Sequence, residues 1–238
     1  MKNKYFLLIS VILISLIGVI MIYSSSVVWA EYKFNDPYKF LKSQSLFLII
    51  GLILMYFVSR IDYNFYYKHS NKLFLFITFL LIIILIPGIG TVRNGSRSWF
   101  GIAGLGIQPS EFMKLAMIIF ISKYITNNEK KLKDIKKGVL PILFTILIIF
   151  GLIMLQPDLG TGLVLVMISI SMLFTFGVNL NFFLKLGIIG IAGIVVLILI
   201  APYRLKRIES FLNPWKDPLG SGFQIIMSLY AIGPGKPL

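Results

Sequence analysis

Long apolar runs separated by short polar breaks organise the chain from Tyr5 to Ala201. Crossing the hydrocarbon core of a bilayer takes about 20 residues of helix, and several of the runs reach or approach that length. Those at 45–58, 73–87 and 112–125 are short, so their helices must take in flanking residues such as Ser59 and Gly88. The pattern predicts spans near residues 5–23, 43–60, 72–89, 109–126, 139–155, 159–178 and 182–201. Residues 1–201 are thus expected to form a transmembrane helical domain, with 202–238 following the last crossing. The expected fold class is an all-α polytopic membrane protein with about seven transmembrane helices.

Composition agrees with a chain solvated by lipid: 58% of the 238 residues are hydrophobic, 13% are charged, and the mean hydropathy is +0.90. The net charge of +14 changes less than it suggests, because the 23 lysines and arginines are scattered over the breaks between runs. That scatter argues against nucleic acid as a partner. The chain has no cysteine, which excludes disulfides and thiolate metal sites. Lys2 and Lys4 precede an apolar run too long for a cleaved signal peptide, so the first run reads as an uncleaved span.

Basic residues also orient the spans. Lys123, Lys130, Lys131, Lys133, Lys136 and Lys137 cluster between the fourth and fifth runs, where they predict a cytoplasmic loop. Lys2 and Lys4, then Arg60, Lys68 and Lys72, fall on the same side, giving a cytoplasmic N-terminus and placing 24–44 and 88–111 outside. Seven crossings put the C-terminal segment outside as well, although Arg204, Lys206 and Arg207 there oppose the rule.

Candidate chemistry concentrates at 93–114, where charge, aromatic surface and helix-start residues interrupt two apolar runs, a costly arrangement near lipid. Gln108-Pro109-Ser110-Glu111 and, later, Gln156-Pro157-Asp158 each place proline in a predicted first turn, with a carboxylate beside the positive helix start. That role alone can account for both acids. Lys114, three residues beyond Glu111, adds a pair on one helix face, which is better evidence for a polar cavity than for stability. Trp99 lies between Arg97 and the glycines 101, 104 and 106, in a segment where backbone can approach a ligand, whereas Trp29 and Trp215 read as membrane-interface residues and His69 as solvated. Arg93, Arg97, Glu111, Lys114 and Asp158 are therefore expected near the outer surface, with cations to hold an anionic headgroup and carboxylates to handle protons. This chemistry suits a polar lipid substrate and leaves a transporter and a transferase both open.

Three ordered segments, NGSRSWFGIAGLGIQPSEFMKLA, QPDLGTG and APYRLKRIESFLNPWKDPLGSGFQIIMSLYAIG, resemble successive motifs of the SEDS (shape, elongation, division and sporulation) family. The resemblance runs to about Gly235 and is nearer the sporulation and division branches than the elongation branch. It implies a ten-helix bacterial inner-membrane protein that polymerises lipid II at the outer face and works with a class B penicillin-binding protein. Lipid II flipping, or a non-catalytic scaffold for that partner, are the alternative functions. Trp99 matches the family's outer-loop tryptophan, Glu111 and Lys114 its cavity-lining charged pair, and Asp158 its QPDLGT motif. In such a glycosyl transfer a carboxylate removes the acceptor proton while Lys114, Arg204 and Arg207 are the cations nominated for the departing diphosphate, a task a divalent cation can share. No metal ligands are assigned. The family's catalytic aspartate, in a Thr-Asp-Phe context, is not matched by Glu209 or Asp217. Departure from the family pattern at Lys236-Pro237-Leu238 leads to the expectation of a truncated reading frame or partial clone, with 202–238 the start of a large outer loop and the fragment inactive.

Overall fold

The computed structural model describes residues 2–93, 95–102 and 105–233, and within these every side chain except those of residues 2–4, 93, 102, 105, 133, 203, 204 and 231. The chain divides into two compact units, residues 1–72 and 73–238.

The first unit holds α1 (Lys2–Phe34), α2 (Lys39–Val58) and the opening turns of α3 (Tyr63–Ile83). Helix α1 is longer than the apolar run that predicts it. Its Ser25 and Ser26 hydroxyls donate back to the Ile22 carbonyl, at 3.2 and 2.6 Å, so the polar residues are satisfied inside the helix and do not end it. Thirty-three residues give a rod of about 50 Å, longer than a hydrocarbon core of about 30 Å. At the turn into α2, Asp36 accepts from the Tyr38 N–H at 3.0 Å and from Lys42 Nζ at 2.9 Å. The Lys42 bond is the main reason the Asp36 carboxyl lies below its ordinary range. Phe6, Ile14, Leu46 and Leu54 stand exposed, as lipid-facing side chains do.

In the second unit, the rest of α3 packs with α4 (Pro109–Asn128), α5 (Leu140–Met154) and α6 (Leu159–Thr175) around one core. The buried residues repeat at helical spacing: Met113, Met117, Ile121 and Ile125 on α4, and Ile142, Ile146, Ile149 and Ile153 on α5. Lipid tails are as apolar as these side chains, so close packing supplies the preference for helix over lipid. Gly162 of α6 shows how close: a Cβ there would stand 3.0 Å from the Phe150 ring of α5. Beyond lie α7 (Leu180–Leu199), with no side chain buried, then α8 (Pro202–Leu212) and α9 (Phe223–Ile232).

The fold is an all-α polytopic membrane protein, and each of the seven predicted segments overlaps a helix, with 84–89 lying beyond the end of α3 and 176–178 beyond the end of α6. Among the described residues, α1, α2, α7 and the stretch Ile135–Met154 are long and apolar enough to cross a membrane by length and composition alone. Helix α6 is apolar but only 17 residues long. Helix α3 opens on a polar stretch with Lys68, His69, Asn71 and Lys72, and α4 carries Glu111, Lys114 and Lys123.

Two segments read as outer loops carry regular structure. A small antiparallel sheet is formed by β1 (Thr91–Arg93), β2 (Ser96–Ile102) and β3 (Leu105–Ile107), with Arg93 opposite Ser96 and Phe100 opposite Ile107. Asn94-Gly95 is a two-residue hairpin sequence, and Gly95 takes the positive φ of 83° that such turns require. The segment from 202 is also largely helical, because α8 and α9 carry it.

Candidate functional site

A cavity of about 940 Å³ opens in the second unit between β2, the start of α6, the end of α7 and α8. Ser96, Ser98 and Trp99 come from β2, Gln108 from the residue before α4, Asp158 and Thr161 from the start of α6, and Ile198 from α7. Lys206, Arg207 and Ile208 of α8 and Ser221 close it.

Its floor is a polar network with a local cause at each point. Asp158 is the N-cap of α6, and its Oδ1 accepts from the Thr161 N–H at 3.2 Å. Its Oδ2 accepts from Gln108 Nε2 at 2.8 Å, which joins the two Gln-Pro motifs side chain to side chain. Because the capping residue itself is not helical, Pro157 precedes the cap and does not sit in the first turn as its spacing suggests. Pro109 does occupy the start of α4. The Ser96 hydroxyl donates to the Gln156 carbonyl at 2.6 Å and shares a 2.9 Å hydrogen bond with Ser98, tying β2 to the same helix start. Gln156 is fully buried and donates from Nε2 to the Leu81 carbonyl at 3.3 Å. Together these bonds hold the strand carrying Trp99 against α6. The Trp99 carbonyl accepts from the Thr91 hydroxyl at 2.9 Å, and its half-buried side chain forms part of the wall.

The opposite wall is cationic. Lys206 and Arg207 are adjacent and exposed on α8, and Lys206 Nζ also lies 3.5 Å from Asp217 Oδ2. Asp217 accepts from both the N–H and the hydroxyl of Ser221 at 3.0 Å. Those bonds, with Lys206 adding to them, hold the Asp217 carboxyl below its ordinary range. Ser221 lines the cavity, so the ionised Asp217 positions one of its hydroxyls.

Of the residues expected from sequence, Trp99, Asp158 and Arg207 line this cavity. Arg97 lies on β2, half-buried, with its stem close over Gly90, and is not among the lining residues. Glu111 and Lys114 do pair, at 2.9 Å on the first turns of α4, with side chains 53% and 24% exposed, and neither lines the cavity. The Arg93 and Arg204 side chains and Gly104 lie outside the described residues. Gln108, Lys206, Ser96, Ser98 and Ser221 belong to the site but carry no obvious sequence signal. Gln108 was legible only in the repetition of Gln-Pro, and Lys206 only as the neighbour of Arg207.

Two cations, several hydroxyls and an indole around a carboxylate already committed to two donors have the chemistry to receive an anionic, hydroxyl-bearing ligand. Among the described residues no group of three or more His, Asp or Glu gathers as metal ligands do.

A family model described as cell cycle protein, covering FtsW, RodA and SpoVE, matches residues 4–237. The stage V sporulation protein E of Bacillus subtilis is 52% identical over 229 residues, which are 96% of this chain and 63% of that protein. A probable peptidoglycan glycosyltransferase FtsW of Trichlorobacter lovleyi is 38% identical over 96% of this chain and 60% of its own length. Among solved structures, a chain from a peptidoglycan synthase complex that coordinates polymerization and crosslinking superposes with a TM-score of 0.68. It is 29% identical over 92% of this chain and 66% of that one. The rod shape determining protein RodA of Thermus thermophilus gives a TM-score of 0.55 at 26% identity over 76% of this chain and 58% of its own. This chain therefore spans about three fifths of the length of the relatives it matches.

Proposed function

The chain belongs to the FtsW, RodA and SpoVE family of cell-cycle proteins, and on that premise we propose that it forms the cavity-bearing part of a SEDS peptidoglycan glycosyltransferase. The substrate is lipid II, the site is the outer face of the bacterial inner membrane, and the partner is a class B penicillin-binding protein in division or sporulation. The observation that carries this reading is the cavity itself, where Lys206 and Arg207 face an indole and a row of hydroxyls. A lipid-linked disaccharide diphosphate presents the matching chemistry: a dianionic linker, sugar hydroxyls and apolar sugar faces.

In the transfer, an acceptor sugar hydroxyl loses its proton to a carboxylate from the part of the family's length that this chain does not span, and its oxygen bonds to the donor's anomeric carbon. The bond from that carbon to the diphosphate oxygen breaks, and the electron pair leaves on the diphosphate. Lys206 and Arg207 stand where they can stabilise that growing charge, and Trp99 gives the sugar a flat apolar wall. Asp158 is a positioning residue in this scheme, because both of its oxygens already accept hydrogen bonds from Gln108 and the Thr161 N–H. A resident divalent cation does not suit these residues: two cations and a single engaged carboxylate make an anion site, so no step is routed through a metal.

The test is a chimaera in which this chain replaces the matched part of the Bacillus subtilis relative, purified with its cognate transpeptidase and given labelled lipid II. Glycan ladders on a gel are the expected result. Transfer of lipid II across vesicles without ladders would assign the cavity to a flippase instead.

The same reading sets the orientation, with 127–137 in the cytoplasm, as the lysines predict, and 93–108 outside. The cysteine-free chain suits labelling by a membrane-impermeant thiol reagent in intact cells: Gly95→Cys should react and Asn128→Cys should not. Reaction at Asn128→Cys, or none at Gly95→Cys with normal expression, would reverse the assignment.

A further inference from the structure

The segment joining α4 to α5 is the most densely charged part of the chain, five lysines against two carboxylates in residues 129–137, a net +3. It is also built as a fixed scaffold. A 3₁₀ turn (Lys131–Lys133) leads into a π-helical turn (Ile135–Val139), and the Asp134 side chain accepts from the N–H groups of Lys136 and Lys137 at 2.9 and 3.4 Å. Asp134 is thereby engaged with the backbone N–H groups, and its charge is included in the net +3. Leu132 and Val139 are buried, and the Tyr124 hydroxyl donates to the Gly138 carbonyl at 2.8 Å. Gly138 lies directly against the backbone of Lys131, where any Cβ would collide with that residue's carbonyl. The fold-back sets the Lys131 backbone against Gly138, the residue after Lys137, and the side chains of Lys130, Lys131, Lys136 and Lys137 are all exposed.

Apolar residues share this surface. Ile135 is 37% exposed within the loop, Leu140 is 45% exposed at the first turn of α5, and Phe144 one turn on is 66% exposed. Exposed lysines and exposed apolar side chains thus occur together in one short stretch, a combination that suits phosphates at the top of acyl chains.

We propose that the α4–α5 loop is a binding site for an anionic phospholipid, with the four lysines around the phosphodiester headgroup and Ile135, Leu140 and Phe144 against its acyl chains. The site is independent of the cavity and of the reaction assigned to it. Each lysine near an anionic surface contributes about fivefold in affinity, so several acting together give a strong preference over zwitterionic lipid.

The experiment places the full chain in phosphatidylcholine nanodiscs containing a small share of photoreactive phosphatidylglycerol or, in parallel, photoreactive phosphatidylcholine, and maps the crosslinks by mass spectrometry. Peptides covering 123–144 should carry at least tenfold more phosphatidylglycerol label, and the excess should shrink as salt is raised. The variant Lys130→Gln/Lys131→Gln/Lys136→Gln/Lys137→Gln should label both lipids equally, while Lys33→Gln/Lys39→Gln/Lys42→Gln/Lys216→Gln keeps the preference. All eight lysines are exposed, and a thermal melt of each variant verifies folding. Soluble glycerophosphoglycerol should not compete, since it lacks acyl chains; full competition would make this a free-phosphate site and overturn the proposal. Equal labelling of the wild-type loop by the two lipids, or an unchanged preference in the loop variant, would also overturn it. So would binding of a polyglutamate peptide at the loop without any lipid preference, which would assign the patch to an acidic protein.

Discussion

Replacing Lys206 and Arg207 together by alanine in the chimaera is expected to lower glycan polymerisation by about 10²- to 10³-fold while insertion into the membrane is unchanged. The two residues are adjacent on α8 and form the cationic wall of the cavity. A developing diphosphate charge then loses both donors at once, in a place where preformed charge acts without reorganisation. Single substitutions should cost less than half of the double effect on a logarithmic scale, because neighbouring cations compensate for one another. Stability should hardly change. Lys206 pairs with Asp217 at 3.5 Å with both side chains substantially exposed, and such pairs contribute about 0–1 kcal/mol. The loss should appear in turnover more than in lipid II affinity if the charges act on the leaving group. Wild-type ladders from the double variant would remove α8 from the mechanism and leave the cavity a lipid-binding feature only.

The second large effect is expected at Gln108, through Asp158. Gln108→Glu puts a second carboxylate where an amide now donates at 2.8 Å, so the two acids repel unless they share a proton. At neutral pH the link between the start of α4 and the start of α6 should fail, at a cost of about 1–3 kcal/mol for the lost partner, with repulsion added. The shared proton is bound more tightly in the folded protein than by either free carboxyl. The folded variant therefore binds more protons than the unfolded chain, and its stability rises as pH falls through that raised value and declines above it. Melting curves in detergent across pH 4.5–8 should show the variant approaching wild type at the acid end and falling away towards neutrality, a slope that Gln108→Ala, lacking the charge, should not share. A pH profile parallel to wild type would mean that the Gln108–Asp158 bond does not hold the motifs together. Since Ser96 and Ser98 attach β2 to the same floor, the variant should also loosen Trp99 and reduce polymerisation at neutral pH.

How much of this was legible beforehand can be seen residue by residue. The run after Lys2 marked a crossing within α1 but not the full length of the helix, because serine reads as a break in a hydropathy pattern while Ser25 and Ser26 in a helix satisfy themselves on the Ile22 carbonyl. Asn94-Gly95 was a legible hairpin signal lying unused inside a segment read for its charge, and β1 to β3 form around it. Asp158 carried two readings from sequence, helix start and proton handling, and its bonds to Thr161 and Gln108 support the first. Glu111 and Lys114 were correctly paired by their three-residue spacing, since that relation is local to one helix. Their absence from the wall of the cavity was not legible, because it depends on which face of α4 the other elements cover.

Sequence alone determined the class of molecule and its family, because the length and apolarity of helices are summed locally and the Gln-Pro and tryptophan motifs lie in continuous stretches. It also determined where charge accumulates, in the 129–137 lysines and around Lys206. Only the tertiary structure decided which of those charges share a site. Lys206 and Arg207 line one cavity with Trp99, more than 100 residues away in the chain, and the wall facing them is held by the bonds of Gln108 to Asp158 and of Ser96 to Gln156. Hydrogen bonds between residues 50 and 60 positions apart have no period and no local composition, so nothing in the order of the residues announces them.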